Sequence, residues 1–272
     1  MTLDELARTA PFALPLAVPD WTLGAFRRRS ITWADGTEDD TTAVVWLQSH
    51  GLTGDIRIPA DRPDVSHRAG LDDCTRDELV GLAMAEGGVA ETHFADGLMT
   101  WSDWSAFQPY NRWPEPGDLR RIGGCLIEFA PSGAYVEEWR YNAPASTFRV
   151  GLRLVGVQRA EAPRRPRAGG LVIVGDEAIF SLGRRQPLPD RPLADLIRRA
   201  PDLRAMTATA FEPVTSMARR MPGGWTVELS TNPFLEALPL MLGDFALGHE
   251  PGTLVETLDS LRRTWRIDTL LI

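Results

Sequence analysis

The side chains best suited to chemistry lie on one predicted strand, residues 134–141. Alternate residues of a strand share a face, and one face here carries a single carboxylate among aromatic rings: Tyr135, Glu137, Trp139 and Tyr141. A carboxylate among apolar groups is costly unless it is paired with a cation or protonated. The pattern therefore predicts an aromatic wall of a small-molecule pocket, with a partner for Glu137.

Arg57 is the partner that we expect for Glu137. It lies on a predicted strand, residues 55–58, on the face opposite to Ile56 and Ile58. Arginine stays charged when it is buried, and its forked guanidinium group suits a carboxylate. The pair would then anchor a ligand, or it would be a structural ion pair inside a barrel.

Further candidates lie on neighbouring predicted strands, and we expect Gln48 and His93 to converge with Arg57 and Glu137. The predicted ligand-binding residues combine aromatic rings with hydrogen-bonding groups: Arg57, Trp46, Gln48, Trp101, Tyr135 and Trp139. If the protein is an enzyme, Glu137 or His93 would transfer the proton. The alternative is that these rings and polar groups only fill and bridge the core.

The sequence lacks the residues or motifs that several other catalytic mechanisms and cofactor sites require. All 29 basic residues are Arg, so a Schiff-base lysine and a phosphate-binding Walker lysine are excluded. The four histidines lack zinc-ligand spacing, and neither a nucleophile elbow nor a dinucleotide-binding glycine motif is present. The sequence therefore predicts no metal and no cofactor, and it leaves proton transfer to Glu, Asp, His, Tyr or Cys.

Composition narrows the range of partners. The chain has 272 residues, with 29 basic and 37 acidic side chains and a net charge of −8, which disfavours nucleic acid and anionic membrane surfaces. Cys74 and Cys125 form no CxxC motif, and no run of eighteen apolar residues or convincing signal peptide occurs, so we expect a cytoplasmic protein. Unpaired edge strands would be compatible with a homodimer.

The elements that must position these residues are mainly strands. About a dozen short apolar segments alternate with turn signals such as Asp96-Gly97, without the rhythm of parallel βαβ units. Three capping boxes predict short helices, at Thr2-x-x-Glu5, Thr75-x-x-Glu78 and Thr253-x-x-Glu256. The fold class predicted is all-β with a few short helices, an antiparallel barrel fold with two barrel units. The predicted domains are a helix and connector (1–20), a first barrel (21–158), a linker (160–169) and a second barrel-like unit with a C-terminal helix and strand (170–272).

Four segments taken in order resemble a known family. They are Val45-Trp46-Leu47-Gln48 followed by Asp55-Ile56-Arg57-Ile58-Pro59; Thr100-Trp101-Ser102-Asp103-Trp104; Tyr135-Val136-Glu137-Glu138-Trp139; and residues 170–175. Their order and spacing over residues 40–185 resemble the calycin-like (lipocalin-like) family that contains the fungal Hri protein and uncharacterised bacterial relatives. The resemblance implies two lipocalin-like β-barrel units, and it implies no catalytic mechanism.

Three functions follow as hypotheses. The first is binding of a small, partly apolar molecule, such as an aromatic one, in a barrel cavity. The second is an enzyme on the same scaffold, a hydratase, isomerase or lyase that uses acid and base chemistry. The third is an interaction protein whose barrels are filled by side chains, which predicts no cavity and an exposed apolar patch.

Overall fold

The computed structural model describes residues 1–144 and 146–272 and contains two antiparallel sheets. The chain begins with helix α1 (Leu3–Thr9) and a short strand β1 (Phe12–Ala13), which joins the second sheet. The predicted mostly β fold is confirmed. Within the described residues, no helix is long and apolar enough to span a membrane.

The first sheet closes into an eight-stranded barrel. Its strands are β2 (Gly24–Trp33), β4 (Ala43–Gln48), β5 (Leu52–Ile58), β6 (Glu86–Ala95), β7 (Leu98–Ala106), β8 (Gly117–Ile122), β9 (Cys125–Phe129) and β10 (Tyr135–Asn142). Each strand pairs with the next along the chain, and β10 closes the barrel by pairing with β2. A two-residue strand, β3 (Glu38–Asp39), extends the end of β2.

The second sheet is open, which corrects the expectation of a second barrel. Besides β1 it contains β11 (Arg149–Arg159), β12 (Gly169–Val174), β13 (Glu177–Leu182), β14 (Val214–Met221), β15 (Gly224–Ser230), β16 (Asp244–Leu247), β17 (Thr253–Leu258) and β18 (Leu261–Leu271). The order is β15-β14-β13-β12-β11-β18-β17-β16. Closure would require β15 to pair with β16, but residues 237–240 bond to β15 instead, and the main chain of Met1 bonds to Phe245 of β16.

Helices α2 (Arg76–Leu82), α3 (Leu193–Arg199) and α4 (Leu203–Ala210) lie in the connections between strands. The capping boxes predicted at Thr2 and Thr75 are confirmed, with Glu5 and Glu78 bonding back to the cap residues. The described residues also include short 3-10 helices at Asp20–Thr22, Leu71–Asp73 and Pro233–Leu235.

The third predicted helix, at Thr253, is wrong because this segment is strand β17. Its Glu256 is fully buried and accepts hydrogen bonds from Trp265 Nε1 and Arg263 Nη1, both at 2.9 Å, across the pairing with β18. A buried acid with two partners on the neighbouring strand stabilises extended backbone more than a local cap stabilises a helix.

The predicted domain boundary also differs from the strand arrangement. Residues 160–169 do not join two units, because they connect β11 to β12 within the second sheet. The chain crosses from the barrel to the second sheet between Asn142 and Arg149 instead. The proline and arginine content of 160–169 therefore marks a long hairpin connection rather than a boundary.

The barrel and the second sheet share a core. Val44 and Trp46 of β4 face the barrel interior, whereas Val45 and Leu47 face outward and pack in a cluster with second-sheet residues. Because both faces of this strand are buried, its sequence is continuously apolar. Alternate residues of β4 therefore belong to two different cores, one inside the barrel and one between the barrel and the second sheet.

Glycines bring the two sheets close together. A Cβ atom on Gly54 of β5 would lie 2.9 Å from Cβ of Ile179 on β13, and one on Gly170 of β12 would lie 2.4 Å from Cγ1 of Val89 on β6. Carbon atoms pack at about 3.5–4.0 Å. Both positions therefore require the absence of a side chain.

Candidate functional site

A cavity of about 450 Å³ opens at the end of the barrel where β5, β7 and β9 end and β6 and β10 begin. Seven aromatic side chains line it: Trp46, Trp101, Trp104, Trp113, Trp139, Tyr110 and Tyr135. Residues 108–113, 183–184 and 187–188 also line it. The cavity has the size of a small-molecule site, and its walls are aromatic.

A chain of ion pairs lies beside the cavity. Arg28 donates to Asp39 at 2.7 Å and to Glu137 at 3.0 Å, and Arg57 donates to Glu137 at 3.2 Å and to Asp55 at 3.0 Å. Glu137 is only 1% exposed. The contact expected between Arg57 and Glu137 is therefore present, and Arg28 is a second partner that the sequence argument did not name.

Glu128 lies in the same region without an ion pair. Among the described residues its side chain has one hydrogen bond, from Tyr135 Oη at 3.4 Å. Burial, and then the negative charge of Glu137, raise the pKa of Glu128 from 4.5 to about 8. At neutral pH this carboxyl group is therefore protonated and lines the cavity.

The pKa values of the two aspartates at the ends of the ion-pair chain are shifted in opposite directions. Burial raises the pKa of Asp55, and Arg57 offsets this only in part. Burial also opposes ionisation of Asp39, but hydrogen bonds from Thr42 and Thr41 hold the pKa of Asp39 well below its usual range. Asp39 is therefore a fixed negative charge at its end of the chain.

Trp113 covers part of the mouth of the cavity. Its Nε1 donates to Glu86 Oε2 at 2.8 Å, and Arg112 Nη1 donates to the other oxygen of Glu86, also at 2.8 Å. The Arg57 guanidinium lies 4.7 Å from the centre of the Trp113 ring, which meets Tyr135 edge to face at 5.3 Å. These contacts orient Trp113, so Arg57 links the mouth of the cavity to the buried ion pairs.

Two buried polar atoms of cavity-lining residues have no hydrogen-bond partner within the described part of the chain. They are Ser105 Oγ and Trp139 Nε1. The indole N–H of Trp139 lies beside the Glu128 carboxyl group without reaching hydrogen-bond geometry. In contrast, Trp46 Nε1 donates to Thr53 Oγ1 at 2.6 Å. Unpartnered buried groups are costly, and a bound molecule can satisfy them.

The structure brings together most of the predicted site residues. The cavity is lined by Trp46, Arg57, Trp101, Tyr135 and Trp139, and Glu137 lies behind it in contact with Arg57. The inward face predicted for β10 is confirmed, because its fourth member, Tyr141, packs against Phe26 inside the barrel.

Two predicted site residues lie elsewhere. Gln48 faces inward, but it does not line the cavity, and its amide is bonded to the main chain of Ser49 and Leu52 at the far end of β4. His93 is exposed on the outer surface of β6, where its Nε2 contacts Ser102 Oγ. The expected convergence of Gln48 and His93 with Arg57 and Glu137 is therefore wrong. Gln48 lies too far along its strand, and His93 points out of the barrel.

Sequence reasoning missed four residues that shape the site: Arg28, Asp55, Trp113 and Glu128. The alternation of β9 carried a signal, because Glu128 shares a face with the apolar Leu126, which is buried. Asp55 likewise shares the face of Arg57, two residues away. Arg28 lies in a run of three arginines that resembles a solvated surface, and Trp113 lies in a loop without periodicity.

Comparison with protein-family models, curated proteins and solved structures found no match for this chain. Its class is therefore defined by the fold and the site alone, as an eight-stranded antiparallel barrel backed by a second antiparallel sheet. Within the described residues, no group of three His, Cys, Asp or Glu side chains is arranged to hold a metal ion.

Proposed function

We propose that the protein binds a small, partly apolar molecule with an aromatic portion in the barrel cavity. The observation that carries this proposal is a cavity of about 450 Å³ walled by aromatic side chains. Pockets for small molecules have this size and a few placed polar groups among apolar walls. We also propose that the barrel is of the calycin, lipocalin-like type, in which one small ligand occupies the interior.

The cavity residues divide into two roles in this proposal. Trp46, Trp101 and Trp139 supply ring surface for stacking and edge contacts with the ligand. Arg57 positions Trp113 and the buried acids rather than binding the ligand itself. Its Nε and Nη1 atoms already donate to Asp55 and Glu137, and its guanidinium lies over the Trp113 ring. The mouth of the cavity is thereby held in a fixed shape before a ligand arrives.

The first test uses N-phenyl-1-naphthylamine, a probe that is uncharged at neutral pH and whose emission increases in apolar surroundings. We expect saturable binding by the full chain, with quenching of tryptophan fluorescence. Trp101→Ala removes one wall of the cavity and should weaken binding by roughly fivefold or more. Trp225→Ala is the matched control, because Trp225 lies on β15 away from the cavity.

The outcomes of this test are separable. Circular dichroism of both variants shows whether the fold is retained. Unchanged probe emission with the folded wild-type chain would overturn the proposal. Equal weakening by Trp225→Ala and Trp101→Ala would place the binding site outside the cavity.

An enzyme is the second candidate, and one observation favours it. The Glu128 carboxyl group carries a proton at neutral pH, lines the cavity and accepts a hydrogen bond from Tyr135. Such a group is suited to general acid catalysis. Glu137 is less suited, because two arginines hold it behind the cavity wall. Recovery of a bound compound in chemically changed form distinguishes this candidate from simple binding.

A further inference from the structure

Acidic groups outnumber cations in the buried charge cluster beside the cavity. Two arginines, Arg28 and Arg57, are surrounded by four carboxyl groups, which are Asp39, Asp55, Glu128 and Glu137. The two arginines make four hydrogen-bonded contacts with three of these acids. Glu128 is the acid that receives none.

The position of Glu128 is unfavourable for a purely structural carboxyl group. Glu128 lies directly opposite Glu137 in the register of β9 and β10, and both side chains point inward. Like charges at directly opposed positions of a sheet are destabilising. Glu128 is also only 5% exposed, so water offers little screening.

The neighbouring strand leaves room for this side chain. A Cβ atom on Gly117 of β8 would lie 3.0 Å from Glu128 Oε1 and 3.1 Å from its Cδ. The carboxyl group therefore lies over a glycine and turns toward the cavity that it lines. An apolar side chain at this position would complete the core without a charge conflict.

Aromatic surfaces surround the same carboxyl group. Tyr135 donates to it, Trp139 lies beside it, and Trp46 meets Trp139 edge to face with ring centres 5.5 Å apart. Ring faces attract cations, as Arg57 over Trp113 already illustrates in this cavity. Within the described residues this carboxyl group has no ion pair, and its position among such rings suits a positively charged ligand.

We propose that the ligand carries a cationic group, a protonated amine or an amidinium, that pairs with Glu128 among the rings of Tyr135 and Trp139. This inference rests on the proposed function and names the chemical class of its ligand. The ligand would supply the positive charge that the protein leaves out, and the ionised Glu128 would then also accept from the unpartnered Trp139 N–H. Arg184, the cation at the mouth without an ion pair, donates to the main-chain carbonyls of Phe107 and Thr209 instead.

Binding of such a ligand would be linked to proton release. The groups that face Glu128 are Tyr135 and Glu137 on β10 and Asp55 and Arg57 on β5, while β8 offers Gly117. Because Glu128 is protonated at neutral pH in the free protein, ionisation on binding releases close to one proton per ligand. Affinity should then increase roughly tenfold per pH unit up to about pH 8 and level off above it.

The test uses three probes that share a phenyl ring and a short chain: 2-phenylethylamine, 2-phenylethanol and 3-phenylpropanoate. Isothermal titration calorimetry of the full chain is run between about pH 6 and pH 9, in buffers of different ionisation heat, which count released protons. We expect the amine to bind at least about tenfold more tightly than the alcohol at about pH 8, and the carboxylate to bind most weakly.

Two variants assign the effect to one carboxyl group. Glu128→Gln should abolish both the preference for the amine and the pH dependence of its binding. Glu138→Gln is the matched control, because Glu138 is the partly exposed neighbour of Glu137 and pairs with Arg140. If Glu128→Gln does not fold, the proton count and pH profile of the wild-type chain still decide the question.

The outcomes separate this inference from the proposed function. If N-phenyl-1-naphthylamine binds but the amine binds no better than the alcohol or the carboxylate, the cationic ligand is wrong while the binding function stands. A preference for the alcohol would indicate that protonated Glu128 donates to a neutral ligand, and it would also overturn the inference. If none of the four probes binds, both proposals fail.

Discussion

Glu128 is held where its charged form is disfavoured. It is buried, it faces Glu137 across two paired strands, and within the described residues it forms no ion pair, although the charge of Arg57 acts on it. Positions that cost stability without a structural benefit are often functional, because selection for a site acts against selection for stability. The unfavourable position of Glu128 therefore indicates a role in ligand binding, whereas Glu137, which pairs with two arginines, gives no such indication.

Replacing this carboxyl group should change the pH dependence of stability. The pKa of Glu128 is raised from 4.5 to about 8 in the folded state, so the folded state retains a proton that the unfolded state loses. Its contribution to stability is present below about pH 4.5 and is lost as the pH rises toward 8. Glu128→Gln should therefore exceed the wild type in free energy of unfolding by roughly 3 kcal/mol at about pH 8.5, and the gain should be much smaller near pH 5.

Urea denaturation at the two pH values measures this difference. Glu138→Gln serves as the reference, because its partly exposed ion pair with Arg140 contributes about 1 kcal/mol or less. A lower stability of Glu128→Gln at about pH 8.5, or an effect independent of pH, would contradict the assigned protonation state.

For single residues, the sequence predicted which side chains share a face of a strand, but not always which face points into the barrel. The alternation of Tyr135, Glu137 and Trp139 grouped them on one face of β10, and their aromatic character correctly indicated the inner face. The pair of Glu91 and His93 also shares a face, but this is the outer face, where Glu91 pairs with Arg266 of the second sheet. Periodicity groups residues on a strand, but only the paired neighbours decide which group faces inward.

Among the elements, the contact between the barrel and the second sheet depends on glycines at the points of closest approach. Gly54 lies against Ile179, and Gly170 lies against Val89. The hydrogen-bonded pairings around them fix the strands, so the backbone has little freedom to move away from an added methyl group. Packing of one sheet on the other is therefore sensitive to single carbon atoms.

Gly170→Ala should destabilise the fold through this contact. The new Cβ would meet Val89 at 2.4 Å, and overpacking of this kind costs about 1–3 kcal/mol. Gly124→Ala is the matched control, because nothing lies within 4 Å of its Cβ position, and its free energy of unfolding should stay within about 0.5 kcal/mol of the wild type.

Thermal or urea unfolding of the two variants provides the comparison. Val89→Ala in the Gly170→Ala background should restore part of the lost stability, because it removes the two γ carbons of Val89, including the one at 2.4 Å, and leaves its Cβ at 2.8 Å. Equal effects of Gly170→Ala and Gly124→Ala would show that the sheets are not in close contact at this point.

Local signals predicted elements unevenly. Capping boxes at Thr2 and Thr75 gave correct helices, and the same pattern at Thr253 gave a false one. The difference is that Glu256 finds Trp265 and Arg263 as partners on the neighbouring strand β18, to which β17 is joined by a hairpin. A capping box shows that a segment can begin a helix by itself, whereas contacts with neighbouring elements decide whether it forms a helix or a strand.

In the molecule as a whole, one large hydrophobic core is built jointly by the barrel, the second sheet and the helices. One cluster combines outward residues of the barrel, such as Ile56, with second-sheet residues, such as Ile179 and Met217, and with helix residues, such as Leu79 and Leu193. Loss of either sheet would expose the apolar face of the other. The two predicted barrel-like domains therefore depend on one another energetically.

We expect the barrel and the second sheet to unfold in a single transition. Hydrogen exchange at increasing urea, followed by mass spectrometry, can compare peptides from residues 43–58 with peptides from residues 169–182. Both should lose protection at the same urea concentration, because they bury the same cluster. Loss of protection in one group while the other remains protected would contradict the shared core.

The covered ends of the open sheet have a consequence for self-association. At one end, Leu240 N and Val227 N form main-chain bonds between residues 237–240 and β15, and at the other, Phe245 N donates to Met1 O. A strand from a second chain would have to displace these segments before it could add to either end. We therefore expect self-association to use side-chain surfaces rather than these two ends and to leave the sheets of each copy separate.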